Sequence, residues 1–356
     1  MISKKAPEIL ATYRKIVWPK IQEYIKNPDY PKAFKIPKKY QEDANLHWKI
    51  TSEYPQRQGK YLRPTLLLLI VKAFGANYKM AINTSAAMQI SEDWLLIHDD
   101  IEDNSNMRRG KPALHKIYGI ESAINAGDAL HTIMWRVLIE NFKVLSPDTA
   151  IKILKEFHTM LTRTIVGQGV EINWSKSNNF TFNDNDSFFI MDGKSSYYTI
   201  AGPMRLGGII SGVSDKELNL LTRLGLILGR CFQLTDDLLD LEEKEYRGKG
   251  QVIGNDIFES KKTVMLGHLL RNIGSKYKKR LITILQKDAS RKTTNEVRWV
   301  IDKMHHHGSI KYGKQIAQDL KEKSLTIFKT KTGFLKKKPE REDIETLIRF
   351  ISERDH

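Results

Sequence analysis

The chain lacks most of what marks a secreted, fibrous or membrane-spanning protein. Its 356 residues include one cysteine, Cys231, so no internal disulfide can form. A reducing cytoplasm suits such a chain, and the thiol is expected to lie in the core. The longest apolar run, "TLLLLIVKAF" at residues 65–74, contains Lys72 and falls well short of the roughly 20 residues of a membrane span. The start, "MISKKAPEILATYRKIVWPKIQEYI", has no continuous apolar core of the signal type. Ile9, Tyr13, Ile16, Val17, Ile21 and Tyr24 instead follow a helical stripe. Alternating β-branched runs bounded by turns are missing, which argues against a sheet. Pro/Ser-rich linkers are missing too, so residues 1–356 read as one domain with 1–40 as an N-terminal helical extension.

What is present points to an all-α fold. Hydrophobic residues make up 40% of the chain, ample for a sizeable core. They recur at three- and four-residue spacing, which predicts helices over about 61–74, 79–103, 121–142, 147–173, 187–211, 215–243, 262–287 and 309–331. Polar breaks fall at "NSNMRRGKP" (104–112), "SKSNNFTFNDND" (175–186) and "EEKEYRGKGQVIGND" (242–256). Lys and Arg number 58 against 42 Asp and Glu, a formal charge of +16 that favours anionic ligands. The densest basic runs, "KYKKR" at 276–280 and "LKKKPERE" at 335–342, lack interleaved aromatics and any nucleic-acid motif. They read as solvated faces, with at most peripheral membrane contact and no nucleic-acid partner. The "HHH" at 305–307 cannot turn three consecutive rings to one side of a helix, and Gly308 is placed to cap it.

Acidic residues are clustered where they are least expected. "LLIHDDIEDNSNMRRGKPALH" (95–115) sets Asp99, Asp100 and Asp103 after an apolar stretch, and "CFQLTDDLLDLEE" (231–243) repeats the spacing with Asp236, Asp237 and Asp240. The first and third aspartates of each set lie roughly 40° apart around a helix and about one turn along it, so both can face one point. Two such helices facing each other form an oxygen-only cage. That donor set suits Mg²⁺, which takes one or two carboxylates and completes its shell with water and phosphate oxygens. A single acidic triplet is commonly a solvated face. Two copies, each followed by a basic, Gly-containing loop (Arg108, Arg109 and Lys111; Lys249, Lys261 and Lys262), predict a site for a metal–phosphate complex.

These motifs resemble those of the trans-isoprenyl diphosphate synthases, or polyprenyl synthetases. "GKYLRP" (59–64), "HDDIEDNSNMRRGKPALH", "GQGVEINW", "GKSSYYTIAGP", "FQLTDDLLD" and "NDIFESKKT" occur in that family's order, and the resemblance runs from residue 59 to about 352. It implies a helical bundle around a central cavity, usually homodimeric, joining isopentenyl diphosphate to an allylic diphosphate with Mg²⁺. By this resemblance Asp99, Asp103 and Asp236 are direct Mg²⁺ ligands, supported by Asp100, Asp237 and Asp240. Arg108, Lys194 and Lys261 match positions that hold the allylic diphosphate. Gly59, Lys60, Arg63 and Arg109 match the isopentenyl diphosphate site, and Ser195, Phe232 and Gln233 match the pocket near the reacting carbons. The chemistry implied is ionisation, condensation and proton loss to the departing diphosphate, with no side-chain nucleophile.

Three departures stand out. Glu92, in "QISEDWLLIHDD", replaces the usual His or Gln of the isopentenyl diphosphate site; either its carboxylate pairs with the cations there or it turns away, and the second is preferred because those cations are retained. Ser195 stands where Thr is usual, and Val252 where a lysine is usual, a role Lys249 fills only if its loop is displaced. Trp94 and Leu95 precede Asp99 by five and four residues, where bulky groups of this family limit the product. Helix geometry sets Leu95 about 40° and Trp94 about 140° from Asp99, so the role of Trp94 rests on resemblance. A twenty-carbon product is expected, with fifteen carbons as runner-up. The rivals are a class I terpene cyclase, against which "DDLLD" argues, and a non-catalytic partner subunit, against which the intact aspartates and "RRG" argue.

Overall fold

A computed structural model describes residues 2–26, 30–242 and 253–352, with side chains from residue 5. Helices dominate: α1 (Ile2–Ile25), α2 (Gln41–Gln56), α3 (Leu62–Phe74), α4 (Ile82–Glu102), α5 (Leu114–Tyr118), α6 (Ile120–Ile139), α7 (Pro147–Lys176), α8 (Asp184–Met191), α9 (Gly202–Ser211) and α10 (Asp215–Leu239). After residue 253 come α11 (Asn255–Phe258), α12 (Val264–Asn272), α13 (Ser275–Leu285), α14 (Thr294–His306), α15 (Ser309–Lys331) and α16 (Glu340–Ser352). Among the described residues the only strands are β1 (Met107–Arg108) and β2 (Lys111–Pro112), a two-residue antiparallel hairpin inside the first polar break. No described helix is long and apolar enough to cross a membrane.

Helix α3 runs through the middle of the bundle. Leu66 to Val71 are fully buried, as expected of a helix apolar on all sides. Gly75, with φ +101, stops it, donating from its N–H to the carbonyls of Lys72 and Val71. Around it α1, α4, α6, α7, α9 and α16 share one core, while α12 to α14 build a second around Val264, Leu269, Leu281 and Val300. Helix α10 belongs to both: Leu221, Leu224 and Leu228 sit in the first and Leu234 and Leu238 in the second. A Ser214–Glu217 capping box fixes where it starts. Its acidic end is therefore held at the junction of the two cores.

Several helix boundaries differ from expectation. The predicted 262–287 helix is two, because Ile273 (ψ 132°) and Gly274 (ψ 153°) are extended between α12 and α13. Helices α2, α14 and α16 were not in the expected ranges, although α16 buries Ile344, Leu347, Ile348 and Ile351 at helical spacing. The predicted 187–211 helix is continuous but contains a π-helical stretch from Asp192 to Ala201. Such widened turns occur often at functional sites, and this one carries Lys194 and Ser195.

Candidate active site

The acidic ends of α4 and α10 lie on the same side of the bundle, linked through lysines. Asp99 and Asp103 face that space: Asp99 lies 3.7 Å from Lys194 Nζ and 3.5 Å from Arg108, and Asp103 lies 3.7 Å from Lys261 Nζ. Asp100 does not. One residue on, it points about 100° away, is fully buried, and accepts hydrogen bonds from Tyr54 Oη (2.6 Å) and from Arg108 Nε (3.0 Å to each oxygen) and Nη2. Grouped with the metal-holding aspartates on sequence, Asp100 instead clamps the 104–112 hairpin to α2 and fixes Arg108 beside Asp99.

The second motif divides in the same way. Asp237 is buried and accepts from Gln233 Nε2 at 2.9 Å; burial, then Asp256 and Asp236, hold its carboxyl well above the usual range. Asp240 accepts from the backbone N–H groups of Asn255 (3.1 Å) and Asp256 (3.0 Å), capping α11. Burial and the neighbouring Asp256 push it up to about 7. Asp103 is likewise lifted to about 7 by burial, with Asp99 and Glu259 adding to the effect and Lys261 opposing it. Asp236 is half-buried on the same turn.

Two half-buried ammonium groups sit among these carboxylates. Lys194 meets Glu171 at 2.5 Å as well as Asp99; burial pulls the amine down, but Glu171 and Asp99 outweigh it and the net shift is upward. Glu171 is held below its usual range, Lys194 and Lys261 overcoming the effect of burial. The pairing depends on Gly167, because a Cβ there would come within 2.3 Å of the Lys194 backbone nitrogen. Only glycine lets α7 approach the π-helical stretch so closely. Lys261 meets Glu259 (2.6 Å), Asp256 (3.5 Å) and Asp103, and these acids raise it well above its usual value against the opposing effect of burial.

Among the described residues no three His, Cys, Asp or Glu side chains converge tightly enough to hold a metal ion alone. The expected closed cage is thus an open cleft with lysines between its acidic walls. The donors remain hard oxygens, Asp103 and Asp240 among them lifted in pKa by burial and by neighbouring carboxylates. They fit a metal ion that arrives with phosphate oxygens.

Beside this cleft lies a cationic pocket, and here the structure overturns the preferred reading of Glu92. Its carboxylate pairs with both arginines: Oε2 is 3.1 Å from Arg63 Nη1 and Oε1 is 3.7 Å from Arg109 Nη2. Arg63 also donates to Thr199 Oγ1 (2.9 Å) and stacks over Tyr198, while Arg109 meets buried Asp93 at 2.7 Å and the Tyr54 carbonyl at 2.9 Å. Gly59 packs flat on the Arg109 guanidinium, where a Cβ would come within 2.8 Å of Nη2. Lys60 is exposed at the edge of this pocket's "GKYLRP" segment.

The family profile of polyprenyl synthetases matches residues 46–304. The chain is 32% identical over 262 residues to the geranylgeranyl diphosphate synthase of Saccharolobus solfataricus, covering 73% of this chain and 76% of that one. It is 29% identical over 298 residues to the short chain isoprenyl diphosphate synthase of Methanothermobacter thermautotrophicus, covering 84% and 87%. The crystal structure of a geranylgeranyl pyrophosphate synthetase from Pyrococcus horikoshii superposes with a TM-score of 0.82 at 29% identity, covering 99% of this chain and all of that one.

The chain belongs to the polyprenyl synthetase family. It is an isoprenoid-joining enzyme, and its all-α fold is that of its relatives. In this polyprenyl synthetase a cavity of ≈ 500 Å³ opens beside Asp99, lined by Trp94, Leu95, His98, Ile165, Ser195 and Tyr198. Trp94 closes it sideways by stacking on His131 of α6 (centroids 4.2 Å apart), in the direction that its angle from Asp99 gives. Ser195 Oγ donates to the Met191 carbonyl at 3.2 Å, Phe232 is half-buried against the larger core, and Cys231 is buried with its thiol pushed up to about 11. Lys249 and Val252 lie outside the described residues. Glu171, Asp93, Asp256 and Glu259 were not singled out from sequence. Glu171, Asp256 and Glu259 do fall inside the quoted motifs "GQGVEINW" and "NDIFESKKT", where an acid beside a phosphate-type lysine was the available signal.

Proposed function

We propose that this synthetase condenses isopentenyl diphosphate with an allylic diphosphate and stops at a short chain, geranylgeranyl diphosphate. The observation that carries the reading is the half-buried pair Lys194 and Lys261, held between the two aspartate motifs by Glu171, Glu259 and Asp256, with Lys194 on the wall of an apolar cavity. Asp99, Asp103 and Asp236 would hold Mg²⁺, with Asp240 and Asp237 shaping the second wall. The ion, when bound, neutralises charge on the diphosphate leaving group. Lys194, Lys261 and Arg108 orient that diphosphate so that the allylic C–O bond breaks with its electron pair on the leaving oxygen. Arg63, Arg109 and Lys60 hold the second diphosphate, and the cavity around Leu95 and Tyr198 keeps water from the cation. The isopentenyl double bond supplies the electrons of the new C–C bond, and its proton passes to the departed diphosphate.

Exposed apolar residues on α6 and just after it support a homodimer: Ile120, Ile124, Ile139 and Phe142 are all exposed, Ile139 to 58%. The single buried thiol fits a cytoplasmic setting. The deciding experiment incubates the purified protein with Mg²⁺, isopentenyl diphosphate and allylic diphosphates of five, ten and fifteen carbons, followed by product chromatography. Accumulation at twenty carbons is expected. Chains of thirty carbons or more would overturn the short-chain reading, and no elongation of any allylic substrate would overturn the activity. One relative, from Natronomonas pharaonis, is a geranylfarnesyl diphosphate synthase at 27% identity, so the same run tests for that product.

A further inference from the structure

Two lysines next to the active site are buried with no salt-bridging carboxylate among the described residues. Lys292 and Lys262 are each 6% exposed, and burial pulls both ammonium groups down to about 8. A buried charge is costly unless it is well hydrogen-bonded; Lys292 gives its hydrogen bonds to the turn just before Lys261, and Lys262, just after it, gives its own to the end of α7. Lys292 Nζ donates to the Phe258 carbonyl (2.5 Å) and to Ser260 Oγ (2.7 Å), and Ser260 Oγ donates in turn to the Leu285 carbonyl (2.6 Å). Lys262 Nζ donates to the Trp174 carbonyl (2.7 Å) at the C-terminal end of α7, and the Lys262 carbonyl accepts from Ser187 Oγ (2.8 Å). Ser260 is held at φ +58, a left-handed conformation that a non-glycine residue adopts only when its surroundings impose it. The turn from Phe258 to Lys262 is therefore tethered at three points, and its one free-pointing side chain of consequence is Lys261, aimed at Asp103, Asp256 and Glu259.

We propose that Lys292 is a positioning residue for the prenyl-transfer reaction, its ammonium locking the strained Ser260 turn so that Lys261 faces the allylic diphosphate. The inference rests on the reading of Lys261 given above. It assigns to the α13–α14 connection, which borders the same cavity as Asp103, Glu171 and Lys261, a specific part in binding one substrate of the two. The neighbouring Lys262 anchor ties the same turn to α7, the helix that carries Glu171, so Lys194 and Lys261 are referenced to one frame.

Lys292→Met and Ser260→Gly are compared with the unmodified protein for kcat, both Michaelis constants, Tm and the affinity for inorganic pyrophosphate with Mg²⁺ by calorimetry. Ser260→Gly removes the hydroxyl but relieves the strain, so it remains informative if Lys292→Met fails to fold. The allylic Michaelis constant is expected to rise by about tenfold or more in Lys292→Met, the scale seen when a supporting partner of a metal or phosphate site is removed. Ser260→Gly should move it in the same direction by less, and the constant for isopentenyl diphosphate should stay unchanged in both. Parallel change in both constants, or no change in a folded Lys292→Met, overturns the proposal. If the unmodified protein elongates no substrate, the functional reading fails first, and unaltered magnesium-pyrophosphate affinity in the variants then separately rejects the positioning role.

Discussion

Glu92→Gln is the substitution on which the geometry makes the sharpest demand. The Glu92 carboxylate occupies two cations of the pocket proposed for isopentenyl diphosphate, Arg63 at 3.1 Å and Arg109 at 3.7 Å. All three side chains are largely buried, between 13% and 18% exposed, so solvent screens the contacts weakly. Neither contact has hydrogen-bond geometry, so each is an ion pair worth about 1 kcal/mol, and the arriving diphosphate must displace both or share the pocket with a like charge. Removing the charge should thus recover about 1 to 2 kcal/mol, roughly a five- to thirtyfold fall in the Michaelis constant for isopentenyl diphosphate. The arginines stay anchored in the variant, Arg109 by Asp93 and Arg63 by Thr199 and Tyr198, so the pocket keeps its shape. The assay varies isopentenyl diphosphate at saturating allylic substrate, with Glu92→His as a second variant. An unchanged constant would refute the displacement argument, and a constant that rises would make Glu92 a binding group.

Asp99→Asn and Asp236→Asn should each abolish most turnover while circular dichroism stays helical, since neither is core packing; near-full turnover at saturating Mg²⁺ in either would remove that residue from the metal site. Trp94→Ala should lengthen the product beyond twenty carbons by opening the wall formed with His131, and an unaltered chromatogram would place the limit elsewhere. Burial lifts the Asp93 carboxyl to about 6, Glu92 adding to the effect and Arg109 opposing it. The folded chain then holds a proton that the unfolded chain releases near 3.8, so stability falls as pH rises from about 4 to about 6, by roughly 3 kcal/mol, and levels off above. Asp93→Asn should flatten that stretch of the Tm–pH curve, and an unchanged slope would show that other groups set it.

How much of the site the sequence carried follows from helix rotation. Residues seven apart differ by about 20° around a helix, so Glu92 lies on the face of Asp99. The preference for turning it away weighed the retained cations above that periodicity, and the periodicity prevailed. The same arithmetic separates neighbours: Asp100 and Asp237 each sit about 100° from the aspartate before them, and both prove buried and partnered, by Arg108 with Tyr54 and by Gln233. What rotation could not reach is the third dimension of α7 and the α11–α12 turn. Glu171 is brought to Lys194 by a glycine contact between two consecutive helices that no spacing rule joins, and Lys261 is brought to Asp103 by a strained turn whose tether, Lys292, carries no motif at all.

The two acidic motifs therefore differ in how they are built, and the difference bears on mechanism. The first is rigid from behind: Asp100 locks Arg108, and through the hairpin Arg109, so one aspartate fixes both cations proposed to meet the diphosphates. The second is fixed from the front, where Asp240 caps α11 and thereby sets Asp256 and the turn bearing Lys261. Each motif thus uses one of its three carboxylates to hold the basic loop that follows it in sequence. The recurring pairing of an aspartate triplet with a downstream basic, glycine-containing loop is then a structural unit as much as a chemical one. Its carboxylates position the very cations that, on the proposed function, share the diphosphate with them.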